Sequence, residues 1–138
     1  MKIWGFKKSK LVLGTAQFES DYGVTSKTKL VFSEMQKILQ SITSYNIEML
    51  DTATDYCKVE EKLGKLNIND LKIISKASTI KNNNVITEDA LSTTIESTLK
   101  NLKVDSLYAF LLRKPCLILK NKGIWKNLLK LKEKGLFR

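Results

Sequence analysis

The sequence predicts an α/β fold in which four strand–helix units follow one another along a single parallel sheet. Three observations predict it. Short apolar runs alternate with longer stretches of helical periodicity, and that alternation is strict along the chain. Only six glycines and one proline occur in 138 residues, so nothing reads as an internal linker. Consecutive strands joined through helices run parallel, with right-handed crossovers.

Each element has its own signal. Lys10–Thr15 (KLVLGT) is a short apolar strand ending in Gly-Thr. Ser33–Tyr45 is a helix in which Ser33 and Gln36 form a capping box and Met35, Ile38, Leu39 and Ile42 form one apolar stripe. Asn46 is the expected stop, and Ile47–Asp51 (IEMLD) the second strand. Val59–Gly64 reads as a short helix closed by its glycine, and Leu71–Ser75 (LKIIS) as the third strand. The run Asn82–Asn84 reads as a loop. Thr87–Leu102 is a longer helix, capped by Thr87, with Glu88 and Asp89 in its first turn and Leu91, Ile95, Leu99 and Leu102 facing inward. Ser106–Leu112 (SLYAFLL) is nearly continuous in apolar residues, as expected of a parallel strand covered on both faces. Gly123–Lys134 is a helix with Ile124, Leu128 and Leu131 buried, and Gly135 caps it.

Composition narrows the function classes. With 43% apolar and 28% charged residues the chain carries no disorder signature. No apolar run approaches the ~18 residues of a membrane span. Met1–Lys10 has no secretory apolar region or small-residue cleavage site, so a cytoplasmic protein is expected. Cys57 and Cys116 are in neither CxxC nor metal spacing and read as reduced thiols. The absence of histidine excludes His-based acid–base chemistry, and no metal site is expected. A net charge of +10 raises nucleic-acid binding as a hypothesis. The lysines are nevertheless dispersed, and the densest cluster, Lys122, Lys126, Lys130 and Lys134, repeats every four residues as one solvated helix ridge.

Chemistry-bearing residues recur at the C-terminal strand ends. Gly14 and Thr15 end the first strand, Asp51 ends the second, Lys76 follows the third and Arg113 the fourth. In a β/α barrel the loops at that rim converge on one mouth. The stretch Asp51-Thr52-Ala53-Thr54-Asp55-Tyr56, followed by Glu60 and Leu63-Gly64, resembles the aldo-keto reductase signature around an active-site aspartate and tyrosine. Leu13-Gly14-Thr15-Ala16-Gln17-Phe18, with Tyr22-Gly23, is similar to that family's first strand and loop. Ile73-Ile74-Ser75-Lys76 resembles the strand that delivers its lysine, and the spacing Leu99, Leu102, Asp105, Leu107 resembles the approach to its fourth catalytic position.

The resemblance covers essentially the whole chain. It implies a partial (β/α)8 TIM barrel, a half barrel of about four parallel units, with residues 1–138 as one domain equivalent to the N-terminal half. It also implies reduction of a small-molecule carbonyl to an alcohol with NADP(H), or with NAD(H). A phenol, with a pKa near ~10, is a poor acid at neutral pH, and a neighbouring ammonium favours its ionised form. The resemblance assigns proton donation to Tyr56, the ammonium to Lys76, and its partner to Asp51. Gly14, Thr15 and Asp51 are implied near the nicotinamide.

Two departures bear on activity. The family usually places a histidine where Leu111-Leu112-Arg113-Lys114-Pro115 sets Arg113, which is always charged, longer and forked. Cys57 stands where glycine is common. The family barrel is also about twice as long, in line with ~250 residues for the fold, and Gly135–Arg138 reads as the lead-in to a fifth strand. The expectation is therefore a reductase weakly active or inactive alone. Its inner strand faces, represented by Val12, Met49 and Ile73, would seek a second copy or a C-terminal half. A non-catalytic half-barrel interaction module is the alternative reading, with a basic nucleic-acid-binding domain behind it.

Overall fold

Strand–helix alternation is realised in the computed structural model, which describes residues 10–18, 30–56, 58–77, 88–114, 116–120 and 122–138. The elements are β1 (Val12–Gly14), α1 (Phe32–Ser44), β2 (Met49–Asp51), α2 (Val59–Leu63), β3 (Lys72–Ala77), α3 (Glu88–Leu102), β4 (Ala109–Leu112), α4 (Cys116–Lys120) and α5 (Lys122–Glu133). The strands form one sheet in the order β1-β2-β3-β4, every neighbouring pair parallel. This is the partial barrel the sequence predicts. Helix α4 is an addition to the expected elements.

Strand register separates two faces. Leu13 pairs with Leu50 and Leu50 with Ile73, which places these three side chains on one side. Helices cover that side. Met35, Leu39 and Ile42 of α1, Leu91, Ile95, Leu99 and Leu102 of α3, and Ile124, Leu128 and Leu131 of α5 share one core with Leu50 and Ile73. Burying a side chain such as Leu50, which has no exposed surface, stabilises the fold by about 1.5–3 kcal/mol.

The opposite, inner face carries Val12, Gly14, Met49, Asp51, Ile74, Lys76 and Leu111. Two expectations change here. Ile73 is 2% exposed and belongs to the helix side, because the two-residue strand period sets it opposite Ile74 and Lys76. β4 is not covered on both faces: Leu111 is 45% exposed, because it shares the inner face with Lys76, its register partner.

Helix ends follow local chemistry. α1 begins at Phe32, and its N-cap, Val31, lies two residues before the expected Ser33 cap. The Glu34 carboxylate accepts the Val31 N–H at 3.0 Å, so Glu34 at the third helical position does what Gln36 was expected to do for Ser33. The expected Thr87 cap lies outside the described residues. At the other end of α1, Asn46 takes the left-handed conformation (φ 54°), its N–H donates to Thr43 O, and Ile47 N–H donates to Ile42 O. Gly135 (φ 79°) closes α5 the same way, and Lys103 (φ 56°) closes α3 without glycine. Gly64 is different. It is right-handed (φ −66°), and an added Cβ there would collide with the backbone carbonyl of Asn101 in α3. Its lack of a side chain lets α2 approach α3.

After Gly135 the chain runs parallel beside β4. Leu107 N–H donates to Leu136 O at 3.0 Å, Leu107 and Phe137 form a parallel bridge, and the Phe137 and Phe110 rings lie 6.0 Å apart. The expected lead-in to a fifth strand is present.

Candidate active site

The rim is assembled by bonds that continue past the strands. Thr15 is fully buried, and both its N–H and its Oγ1 donate to the Asp51 carbonyl at 3.0 Å, fixing the end of β2 from the β1 side. On the other side Thr52 N–H donates to Ile74 O at 2.9 Å, and Thr54 donates to Lys76 O through its N–H at 3.1 Å and its Oγ1 at 3.2 Å. The segment carrying Tyr56 is thereby tied to the strand carrying Lys76. Tyr56 N–H closes a turn onto Ala53 O, and Val59 N–H then bonds Tyr56 O as α2 begins.

Lys76 lies within β3 and not after it, since the strand runs on to Ala77. Its Nζ donates to both Asp51 carboxylate oxygens, each at 2.6 Å. The Lys76 and Asp51 side chains are 17% and 32% exposed, a partly desolvated pair in which charge-assisted bonds are strong. The same ammonium lies 5.6 Å from the centre of the Tyr56 ring. Arg113, following β4, brings its guanidinium carbon to 5.7 Å from that ring centre. Two cations therefore flank one phenol ring, an arrangement attractive to the ring quadrupole.

Arg113 is held by Asp55, to which the sequence motif assigns no role. Its two terminal nitrogens reach the two Asp55 oxygens at 3.2 and 3.1 Å, a forked pair. Asp55 was visible as a carboxylate beside Tyr56, but linear spacing does not say which way a turn residue points. Glu60 and Ser75 stand in the sequence as parts of motifs with no signal that they meet. The structure brings them together behind the sheet, where Ser75 Oγ donates to Glu60 Oε1 at 2.7 Å and both residues are buried. Burial pushes the Glu60 carboxyl above its ordinary value of 4.5; the Ser75 hydrogen bond opposes the rise and the nearby Asp55 charge adds to it.

Asp51, Tyr56, Lys76 and Arg113 thus meet at one end of the sheet, with Gly14 beside Asp51 in register. Tyr22, Gly23, Cys57 and Pro115 lie outside the described residues. Among the described residues no group of acidic or cysteine side chains could hold a metal, and no helix is long and apolar enough to cross a membrane.

A parallel sheet with helices on one face and polar residues gathered at the C-terminal strand ends defines half of a β/α-barrel scaffold. The model of the aldo/keto reductase family matches residues 10–138, and the chain belongs to that family. A solved structure from Pseudomonas aeruginosa, described as an aldo-keto reductase, is 29% identical with a TM-score of 0.78, over 96% of this chain and 54% of that one. A thermostable aldo-keto reductase crystallised with the inhibitor epalrestat is 25% identical with a TM-score of 0.69, over 92% of this chain and 46% of that one. An aldo-keto reductase from Bacillus halodurans, 18% identical with a TM-score of 0.64, shares the fold over 93% of this chain and 43% of its own. The chain spans about half the length of these structures. No curated protein matches it in sequence.

Proposed function

We propose that this chain supplies the proton-donating site of a cytoplasmic carbonyl reductase that uses NADP(H), or NAD(H) by the same chemistry, and converts a small-molecule aldehyde or ketone to its alcohol. One observation carries the reading: Lys76 Nζ is held by both Asp51 oxygens while lying 5.6 Å from the Tyr56 ring centre. In this reading Tyr56 gives its hydroxyl proton to the carbonyl oxygen. Lys76 favours the phenolate left behind, and Asp51 keeps the ammonium in place. Arg113 spends two of its five N–H donors on Asp55, and the others remain for a substrate oxygen.

The residues present suit a nicotinamide. At Gly14 an added Cβ would meet nothing within 4 Å, so bare backbone faces open space at the end of β1, next to the Asp51 carboxylate. Gly14 and Asp51 would flank the ring, with Thr15 fixing the Asp51 backbone behind it. The cofactor's contribution is a hydride to the carbonyl carbon. Every other requirement falls on protein side chains.

The test is Tyr56→Phe in a barrel whose remaining strand–helix units are supplied by a relative. The rate of carbonyl reduction should fall by about 100-fold or more, with cofactor affinity changed little, because the variant removes a proton needed in the transition state. Equal losses in rate and affinity would count against the assignment.

A second reading, of residues 1–138 as a non-catalytic half-barrel module, is favoured by exposed apolar side chains on the inner face, Val12 at 41% and Leu111 at 45%. Its partner would be a second copy or a complementary half barrel.

A further inference from the structure

Among the described residues, one buried polar contact near the site has no part in the proton transfer just described. Glu60 is 5% exposed, Ser75 is fully buried, and their bond of 2.7 Å crosses from α2 to β3 on the helix side of the sheet. A buried carboxyl costs free energy that an apolar pair of the same volume would not. Its place in the chain gives the pair a geometric use. Glu60 is in the first turn of α2, which Tyr56 opens by accepting the Val59 N–H at 3.0 Å. Ser75 immediately precedes Lys76 in β3, so strand alternation sends Ser75 to the helix side and Lys76 to the site.

We infer that Glu60 is a positioning residue whose buried bond from Ser75 sets the Tyr56 ring against the Lys76 ammonium. Tyr56 lies between two clamps on β3. Upstream of Tyr56 the clamp is Thr54 on the Lys76 carbonyl. Downstream it is Glu60 on Ser75. With one end released, Tyr56 pivots about Thr54 and its distance to Lys76 is no longer fixed. The raised proton affinity of Glu60 accords with this placement, since a carboxyl held there for a surface role would not be desolvated. Calling Glu60 a positioning residue rests on the proposed role of Tyr56, whereas the contact it sets is observable without any activity.

The test is the nuclear Overhauser effect between the Tyr56 ring and the Lys76 side chain in the 138-residue chain. The double variant Ser75→Ala with Glu60→Leu removes both partners of the bond together. The buried Thr98 hydroxyl already lacks a hydrogen-bond partner in the parent chain, so no new polar group is stranded and the fold is expected to survive. Its Overhauser intensity should fall by about twofold or more, as a rigid contact becomes a mobile one. Glu60→Gln keeps an acceptor for Ser75 and should leave the intensity unchanged. Ser75→Ala alone should reproduce the loss, and it decides the matter if the double variant does not fold. Unchanged intensity in the variants lacking the bond, or equal loss in Glu60→Gln, overturns the inference. Failure of the Tyr56→Phe kinetic test with these contacts intact would instead strike the reductase reading.

Discussion

Lys76 bonds both Asp51 oxygens and lies against the Tyr56 ring, and in the proposed reading it separates chemistry from stability. The cost of desolvating both ions offsets much of their attraction, so the Lys76–Asp51 pair is a minor net stabiliser of the fold. Lys76→Met keeps the stem and removes the charge. Thermal unfolding should move by only a few degrees, while carbonyl reduction in a completed barrel falls by about 100-fold. Loss of folding in step with loss of rate would make Lys76 a structural residue. Glu60 gives the opposite kind of test. Burial raises its folded-state pKa above the ordinary 4.5, so the folded chain binds this proton more readily than the unfolded chain. The associated stability is fully present below the unfolded pKa and is lost as pH rises through the folded one. Glu60→Gln should therefore gain on the parent chain between acid and neutral pH, and denaturant titrations at several pH values check it. A gap that widens toward acid would reverse the assigned direction. At this scale the sequence was informative where a motif fixes order: the convergence of Asp51, Tyr56 and Lys76 at one rim was readable. Asp55 was not, because its role depends on how a turn folds against β4, which spacing does not encode.

Elements were legible where periodicity is long. The stripes Met35–Ile42, Leu91–Leu102 and Ile124–Leu131 are the faces that α1, α3 and α5 bury, since a 3.6-residue period admits one inward side. Ends were less legible. Val31 serves as N-cap because the Glu34 carboxylate reaches back to it, and Lys103 adopts a conformation usually left to glycine or asparagine. Gly64 and Gly135 show that one residue type answers two demands. Gly64→Ala would drive a methyl into the Asn101 carbonyl, and because backbone yields less readily than a side chain it should destabilise by about 1–3 kcal/mol. Gly135→Ala meets no atom within 4 Å and strains only φ, so about 1 kcal/mol is expected. Chemical denaturation of the two variants compares them. A larger loss at Gly135 would show that helix approach is not what Gly64 provides.

For the molecule as a whole, strand order and helix placement were legible because four units in strict alternation leave one parallel solution. The assignment of faces was less so. Ile73 and Leu111 exchange their expected environments, since an apolar run does not announce which side a helix will cover. The inner face, with Val12 and Leu111 exposed, should make the 138-residue chain self-associate at about tens of micromolar, against the repulsion of its +10 charge. Light scattering on a sizing column should show that association strengthening with added salt, and a monomer at all salt concentrations would refute it. The central claim, that these residues serve reduction of a carbonyl by hydride, is reached most directly by isotope transfer. In a barrel completed from a relative, deuterated NADPH and an aldehyde should give an alcohol with one deuterium on the carbinol carbon, and Tyr56→Phe should nearly abolish it. Alcohol without deuterium, or no difference between the parent and Tyr56→Phe, would contradict the account.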